Sequence, residues 1–484
     1  MDEDIFIALP VYRGTEFVAE TIRSIRDQTY SRYHVMMSVD GSDDPTIDVC
    51  RSFTADPRFE LVVQPERLGW PGNFNWLVRR CNLPYFCYWQ QDDLASTGYL
   101  ESLRNGLLTE PEASIAYTDV QWFGSRFERD ALDSIHGTAL ERVLRHIESI
   151  HYAPLRGLIR ASALPPGTEP IPTTTTSSAQ SEFVFLTELA ARGSFHRVTT
   201  AMYFKRGHHS NAHSSWFAAA PDRRRSEWIS TALGMLGVAL RLTDRGQHGR
   251  LLATVLDRFA IERPGRGYFY IPEQSAAAIG SFVHEFTDRA AAAPWSMDLT
   301  TDDWVPDAGD GFERPIHTWI TTALMNEVAR ARALASLSVD ASSGPVCLPT
   351  TVDGPGLVAL GGGWSTPETS GVWTEGTVAT LRLPPGQYSG VELTGVAFVA
   401  DRAVRIGYST SDAEPMFVRV ANSAPTTLFI TVPPATVDER RSIHLHLPDA
   451  VSPAEVDGSA DTRVLGFQLR QITFVTACPI SHET

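Results

Sequence analysis

Residues Tyr85 to Asp93, YFCYWQQDD, carry a run of aromatic side chains that ends in two adjacent carboxylates. Tyr85, Phe86, Cys87, Tyr88 and Trp89 read as a short strand covered on both faces. Asp92 and Asp93 then fall just past its C-terminal end, where open α/β sheets place their ligands. Two neighbouring carboxylates repel unless something cationic joins them, and a divalent metal carrying phosphate meets that need. A solvated acidic turn is the plainer alternative. The upstream elements decide between the two.

Those elements alternate. Ile5 to Leu9 reads as a strand that breaks at Pro10, and Glu16 to Gln28 places Phe17, Val18, Ile22 and Ile25 on one helical stripe. His34 to Val39 is a second strand, ending in the acidic turn Asp40-Gly41-Ser42-Asp43-Asp44. Thr46 to Phe53 reads as a short helix and Phe59 to Val63 as a third strand; Pro71, at a first helical turn, opens a helix over Asn73 to Cys81. This βαβαβαβ order implies a parallel, doubly wound sheet with right-handed crossovers. Pro10 to Arg13, Asp40 to Ser42, Arg67 and Asp92 then share one rim, which is the expected active-site edge.

The segments LPVYRG (9–14), SIRDQTY (24–30), SVDGSDD (38–44), ERLGWPGNFN (66–75) and YWQQDDL (88–94) resemble the inverting family 2 glycosyltransferases of GT-A fold. SEFVFLTELAARGSFHRV (181–198) resembles that family's Glu-Asp motif and following helix, and YFKRGHHS (203–210) its late strand and metal-binding histidine. The similarity covers roughly the first 215 residues. No GxGxxG or Walker pattern competes for a nucleotide. The fold implied is α/β: a Rossmann-like GT-A parallel-sheet domain for a nucleotide sugar.

The resemblance implies a role at each matching position. Pro10, Val11, Tyr12, Arg13, Asp40, Gly41, Arg67 and Gln91 would bind the nucleotide, with Tyr12 on the base and Asp40 accepting from an imide N–H. Asp92 and His208 would hold Mn²⁺ or Mg²⁺, which neutralises charge on the departing nucleoside diphosphate. Asp93 would orient metal water, ribose or sugar. Glu182 would be the general base that deprotonates the acceptor hydroxyl, with Asp119 or Glu188 next in line. Plainer accounts stand beside these: Asp40 as a turn cap, Glu182 as an acid favoured by a helix N-terminus, and His209 and His213 as surface histidines.

Two positions depart from the family pattern. Gln90 stands where the first acid of the DxD motif is usual, and Ser181-Glu182 replaces the Glu-Asp pair. An amide still hydrogen-bonds a hydroxyl but brings no charge. Restoring the acid at position 90 is expected to change metal affinity or preference if that side chain points toward the ion.

Composition fits an enzyme with ample core in two or three domains. Five scattered cysteines give no disulfide framework, and a net charge of −16 argues against a nucleic-acid partner. An acidic N-terminus entering a strand almost at once, and no apolar stretch of spanning length, lead us to expect a cytoplasmic protein, at most peripheral at the inner face of the plasma membrane. Lys205 is the only lysine, so nearly all positive charge is arginine; we read that as compositional bias.

Residues 1–215 are thus expected to be the catalytic domain. Residues 216–338 read as a helical region, basic between Arg223 and Arg266; its helices suit either an anionic membrane surface or, more simply, solvent. Residues 345–484, short strands punctuated by Gly and Pro, read as an antiparallel β-sandwich of jelly-roll type. GGGWSTPETSGVW (361–373) resembles accessory modules of polysaccharide-building transferases, in which Trp364 and Trp373 would serve a glycan or the core. The sequence leaves open whether this module binds glycan or forms a homo-oligomer interface.

Three function classes compete. The first is an inverting transferase moving a sugar from a UDP or dTDP donor to a hydroxyl of a glycan or lipid-linked glycan in bacterial surface polysaccharide synthesis. The others are a nucleotidyltransferase-like α/β enzyme and a non-catalytic glycan-binding scaffold. LPVYRGTE offers only one glycine where nucleotidyltransferases carry a Gly-rich loop, whereas Gln90 and Ser181 favour the scaffold.

Overall fold

In the computed structural model, strand β1 (Ile5–Val11) is buried along its whole length at the middle of a nine-stranded sheet. The described residues are 4–41, 43–165, 171, 181–208, 221–242, 248–260, 276–291, 315–337, 339, 344–398, 404–410, 415–420, 425–432 and 441–475. They divide into two compact units, Met1–Pro272 and Glu273–Thr484. No helix among them is long and apolar enough to cross a membrane.

In the first unit β1 pairs in parallel with β2 (Tyr33–Val39) on one side and β4 (Tyr85–Tyr88) on the other, and β3 (Phe59–Val63) pairs in parallel with β2. Their apolar sequences suit strands covered on both faces. Registers Val11↔Val39 and Val39↔Val63 end β1, β2 and β3 on one line. Tyr12, Asp40 and the chain after Tyr88 therefore emerge on one rim, as the sequence predicts. Helices α1 (Val18–Arg26), α2 (Thr46–Arg51) and α3 (Gly69–Val78) connect these strands.

Beyond β4 the sheet turns mixed. β5 (Leu94–Ala95) follows Asp93, and β8 (Leu158–Arg160) pairs antiparallel with both β4 and β6 (Ala113–Gly124). The long β9 (Ser194–Gly207) lies parallel to β6. Leu94 pairs with Phe204, which brings the end of β9 beside Asp92 and Asp93. The short β7 (Arg129–Asp130) pairs only with β6. Helices α4 (Tyr99–Thr109), α5 (Ala139–Ser149) and α6 (Ser181–Arg192) belong to this half. The expected helical region is shared between the units: α7 (Pro221–Leu242) and α8 (His248–Ala260) fall in the first, α9 (Ala276–Ala291) and α10 (Pro315–Ser336) in the second.

The second unit adds two antiparallel sheets. β10 (Val346–Pro349), β11 (Val372–Glu375), β13 (Gly390–Ala397), β16 (Thr426–Thr431) and β18 (Leu465–Val475) form one; β12 (Val378–Leu383), β14 (Val404–Ser409), β15 (Met416–Val420) and β17 (Arg441–His446) form the other. Residues of both sheets, among them Val391, Leu393, Ile406, Ile443 and Phe474, meet in one core. The alternation of buried and half-exposed residues along β13 is the period-two pattern that made these strands legible.

Candidate active site

The turn after β1 is held from two sides. Gln91 Oε1 accepts from the Tyr12 N–H at 2.8 Å while its Nε2 donates to the Tyr12 carbonyl at 3.0 Å. The carbonyl of Gln91 accepts from Thr21 Oγ1 at 2.9 Å. The Arg13 N–H donates to Asp44 Oδ2 at 2.5 Å and the Gly14 N–H to Thr46 Oγ1 at 2.9 Å. Arg13 sits at φ 47°, a left-handed conformation that these bonds hold in place. Gln91 thus fixes the Tyr12 turn, a job that occupies both ends of its amide.

Asp40, almost fully buried, accepts from the Leu68 N–H at 2.7 Å. That bond anchors the loop carrying Arg67, whose guanidinium lies 4.2 Å from the centre of the Tyr12 ring. An aromatic face, a carboxylate and a guanidinium are thereby gathered at the ends of β1 and β2. Gly41, at φ 133°, makes the turn that follows Asp40. Pro10 and Val11 are buried within β1 itself. Ser42, His209 and His213 lie outside the described residues.

The acidic pair divides its work. Asp92 Oδ2 stands 2.7 Å from His208 Nε2. Burial pushes the Asp92 carboxyl up, but the His208 hydrogen bond and the Lys205 charge outweigh it and hold the group below the ordinary value. Asp93 is fully buried; its Oδ1 accepts from the Arg206 N–H at 2.9 Å, and its Oδ2 has no hydrogen-bond partner. Burial pushes Asp93 up to about 6, with Lys205 opposing.

A hard divalent cation fits Asp92 and His208: one carboxylate oxygen and one imidazole nitrogen already converge, and substrate phosphates and water commonly supply the rest of such a shell. No group of three or more His, Cys, Asp or Glu able to hold a metal occurs among the described residues, so a cation here would need ligand oxygens.

Gln90 points elsewhere. Its Oε1 accepts from Arg156 Nη2 at 2.9 Å and Lys205 Nζ at 3.1 Å. Both cations are buried, at 3% and 5% exposure, and lie against aromatic rings: Lys205 5.1 Å from Trp122, Arg156 5.3 Å from Tyr152. Burial pushes the Lys205 ammonium down, with Asp93 opposing. Sequence reasoning missed this pair. The available signal was the lone lysine, which composition had explained away.

Glu182 is the second residue of α6, followed by the buried Phe183, Phe185, Leu186 and Leu189. Helix α6 packs against the turn Ala153–Arg156. Burial pushes Glu182 up to about 7, while Arg156 and then Lys205 pull it back. The two cations that hold Gln90 therefore also act electrostatically on the candidate base. The two other acids considered for that role are committed elsewhere. Asp119 is paired with Arg129 at 2.6 Å and Arg197 at 2.7 Å, and Glu188 with Arg192 at 2.7 Å and Arg241 at 3.1 Å.

Known proteins resemble this chain over part of its length. Glycosyltransferase GlyA of Streptococcus pneumoniae serotype 4 (strain ATCC BAA-334 / TIGR4) is 26% identical over 116 residues, 24% of this chain and only 16% of GlyA. Among solved structures, S. aureus TarS 1-349 in complex with UDP-GlcNAc superposes over 68% of this chain and 90% of its own, at 14% identity and a TM-score of 0.48. The mannosyltransferase PcManGT from Pyrobaculum calidifontis, in complex with GDP-Man and Mn²⁺, covers 69% of this chain and 87% of its own, at 13% identity and a TM-score of 0.37. Residues 6–164, about a third of the chain, match the family model Glycosyl transferase family 2, a stretch that runs from β1 through β8 and carries Asp40, Asp92 and Asp93.

Proposed function

We propose that the chain is an inverting glycosyltransferase that moves a sugar from a nucleoside-diphosphate donor to an acceptor hydroxyl, with Glu182 as general base. The observation that carries this reading is Glu182 itself: a buried carboxylate at a helix start, pushed by burial to about 7 and opposed by the charges of the two cations that hold Gln90. A base with that ionisation suits proton removal at ordinary pH.

Tyr12, Asp40 and Arg67 would seat the nucleotide, the Asp40 carboxylate suiting the imide of a uracil or thymine. Asp92 and His208 would hold Mn²⁺ or Mg²⁺, and the ion, when bound, supplies charge neutralisation at the leaving diphosphate. Glu182 takes the acceptor proton as the hydroxyl oxygen bonds to the anomeric carbon; the bond from that carbon to the diphosphate oxygen breaks, and configuration inverts. Asp93 would hold the sugar or ribose, a role supported by its one buried oxygen without a hydrogen-bond partner. The acceptor class we favour is a glycan or lipid-linked glycan.

The test is Glu182→Gln, which keeps the shape and removes the basicity. Donor binding should survive while transfer falls roughly 10²–10⁴-fold. Unchanged transfer would remove Glu182 from the mechanism. No turnover by the wild type across UDP- and dTDP-sugars, with the donor nevertheless bound, would favour the non-catalytic reading that Gln90 raises.

A further inference from the structure

The second unit contains a cleft of about 700 Å³, none of whose lining residues is assigned to the transfer reaction. Helices α9 and α10 form one wall and the loop from Leu357 to Pro367 the other. Its volume lies in the range of ligand sites. Trp364, from the GGGWSTPETSGVW motif, lines it with its indole N–H anchored on the Thr380 carbonyl at 2.7 Å. Trp373 does not take part: its ring meets Phe398 edge-on at 5.5 Å.

The carboxylates behind this cleft are already used. Glu327 bonds His284 Nδ1 at 2.5 Å and Arg382 Nη2 at 3.1 Å, and pairs with Arg330 at 3.5 Å. Burial pushes Glu327 up, yet His284, Arg382 and Arg330 together hold it down at about 2. Asp288 takes Arg382 Nε at 2.7 Å. Two acids thus serve three basic side chains. Besides apolar residues such as Ala323, Leu357 and Val358, the lining includes Trp364, the exposed Ser281, Thr322 and Asn326, and the half-exposed Arg330, which spends one N–H on the Leu360 carbonyl at 3.3 Å. An indole with polar hydrogen-bonding groups around it accommodates a sugar ring. A guanidinium among those groups, with the nearby carboxylate saturated, favours a sugar bearing its own carboxylate.

We propose that this cleft binds a segment of acidic glycan, separately from the transfer site. The test uses the full chain, with a galacturonic acid hexamer as the acidic probe and maltohexaose as the neutral one, read by calorimetry. A Cβ added at Gly280 of α9 meets no atom within 4 Å, so Gly280→Leu starts a bulky side chain from the cleft wall into open space. Replacing a helical glycine also leaves stability unchanged or raised. The acidic hexamer should bind the wild type, more weakly as salt rises, and lose at least ~10-fold in affinity in both Gly280→Leu and Arg330→Gln. The melting temperature of Gly280→Leu and its donor hydrolysis should match wild type. No binding of the acidic hexamer, undiminished binding by Gly280→Leu, or equal binding of maltohexaose would each overturn the proposal.

Discussion

At the scale of single residues, the site turns on which cation serves which acid. Gln90, which the sequence resemblance sets where an acid is usual, has its side chain on Arg156 and Lys205 rather than on Asp92 or His208. Gln90→Asp should therefore capture those two cations and leave Mn²⁺ titration of donor binding within about twofold of wild type, whereas Asp92→Ala should abolish the metal-dependent part. A large change in metal affinity in the Gln90 variant would show that position 90 reaches the ion. Glu182 carries a second, separable prediction. Its folded value of about 7 lies above the ordinary 4.5, so the folded chain holds a proton that the unfolded chain has released between those pH values. Its stabilising contribution is complete below about pH 4.5 and is lost as pH rises through about 7. At pH 8 the buried ionised group costs the fold roughly 3 kcal/mol. Glu182→Gln should raise the melting temperature at pH 8 and leave it nearly unchanged at pH 4.5. In wild type kcat/KM should fall about tenfold per pH unit below about 7 as the base protonates. A flat profile between pH 5 and 8 would speak against the base.

At the scale of elements, the ends of β1 and β4 are joined through one amide. Gln91 makes two bonds to the Tyr12 backbone and a third, through its own carbonyl, to Thr21 of α1. A Cβ built on Gly14 would come 2.5 Å from Gln91 Oε1, so the turn and the amide are fitted to each other. Gln91→Leu leaves the strands intact but orphans two backbone groups at the turn, a cost of about 1–3 kcal/mol. Donor affinity should fall while far-UV circular dichroism stays native. Donor binding equal to wild type would mean that the Tyr12 turn does not contribute to the nucleotide pocket.

At the scale of the whole molecule, the division of the helices decides where the chain can be cut. Arg382 of β12 reaches Asp288 on α9 and Glu327 on α10, both acids being buried. A fragment ending at residue 338 keeps those acids and removes Arg382, and a buried charge that loses its partner is strongly destabilising. A fragment ending at residue 272 leaves the whole network behind. The shorter fragment should melt cooperatively and bind donor, and the longer should be less soluble and more readily cleaved by protease around α9 and α10. Equal behaviour of the two would show that these helices stand without the sheets.

The sequence by itself determined the elements whose pattern is local. The apolar runs of β1, β2 and β4, the acidic turn at Asp40 and the acids after Trp89 fix the parallel half of the sheet and its rim, because a buried parallel strand leaves an unmistakable stretch of apolar residues. The strands of the second unit were legible for a different reason, the alternation of buried and more exposed residues. Tertiary structure alone decided the rest. Strand β8, three residues long, and the pairing of Leu94 with Phe204 have no local signature, yet that pairing sets His208 beside Asp92. Arg156 and Lys205 are 49 residues apart in sequence and meet on one amide oxygen only because β6, β8 and β9 are neighbours. The ionisation of Glu182 follows from its own burial, opposed by those two charges, and that environment arises only when the distant segments pack.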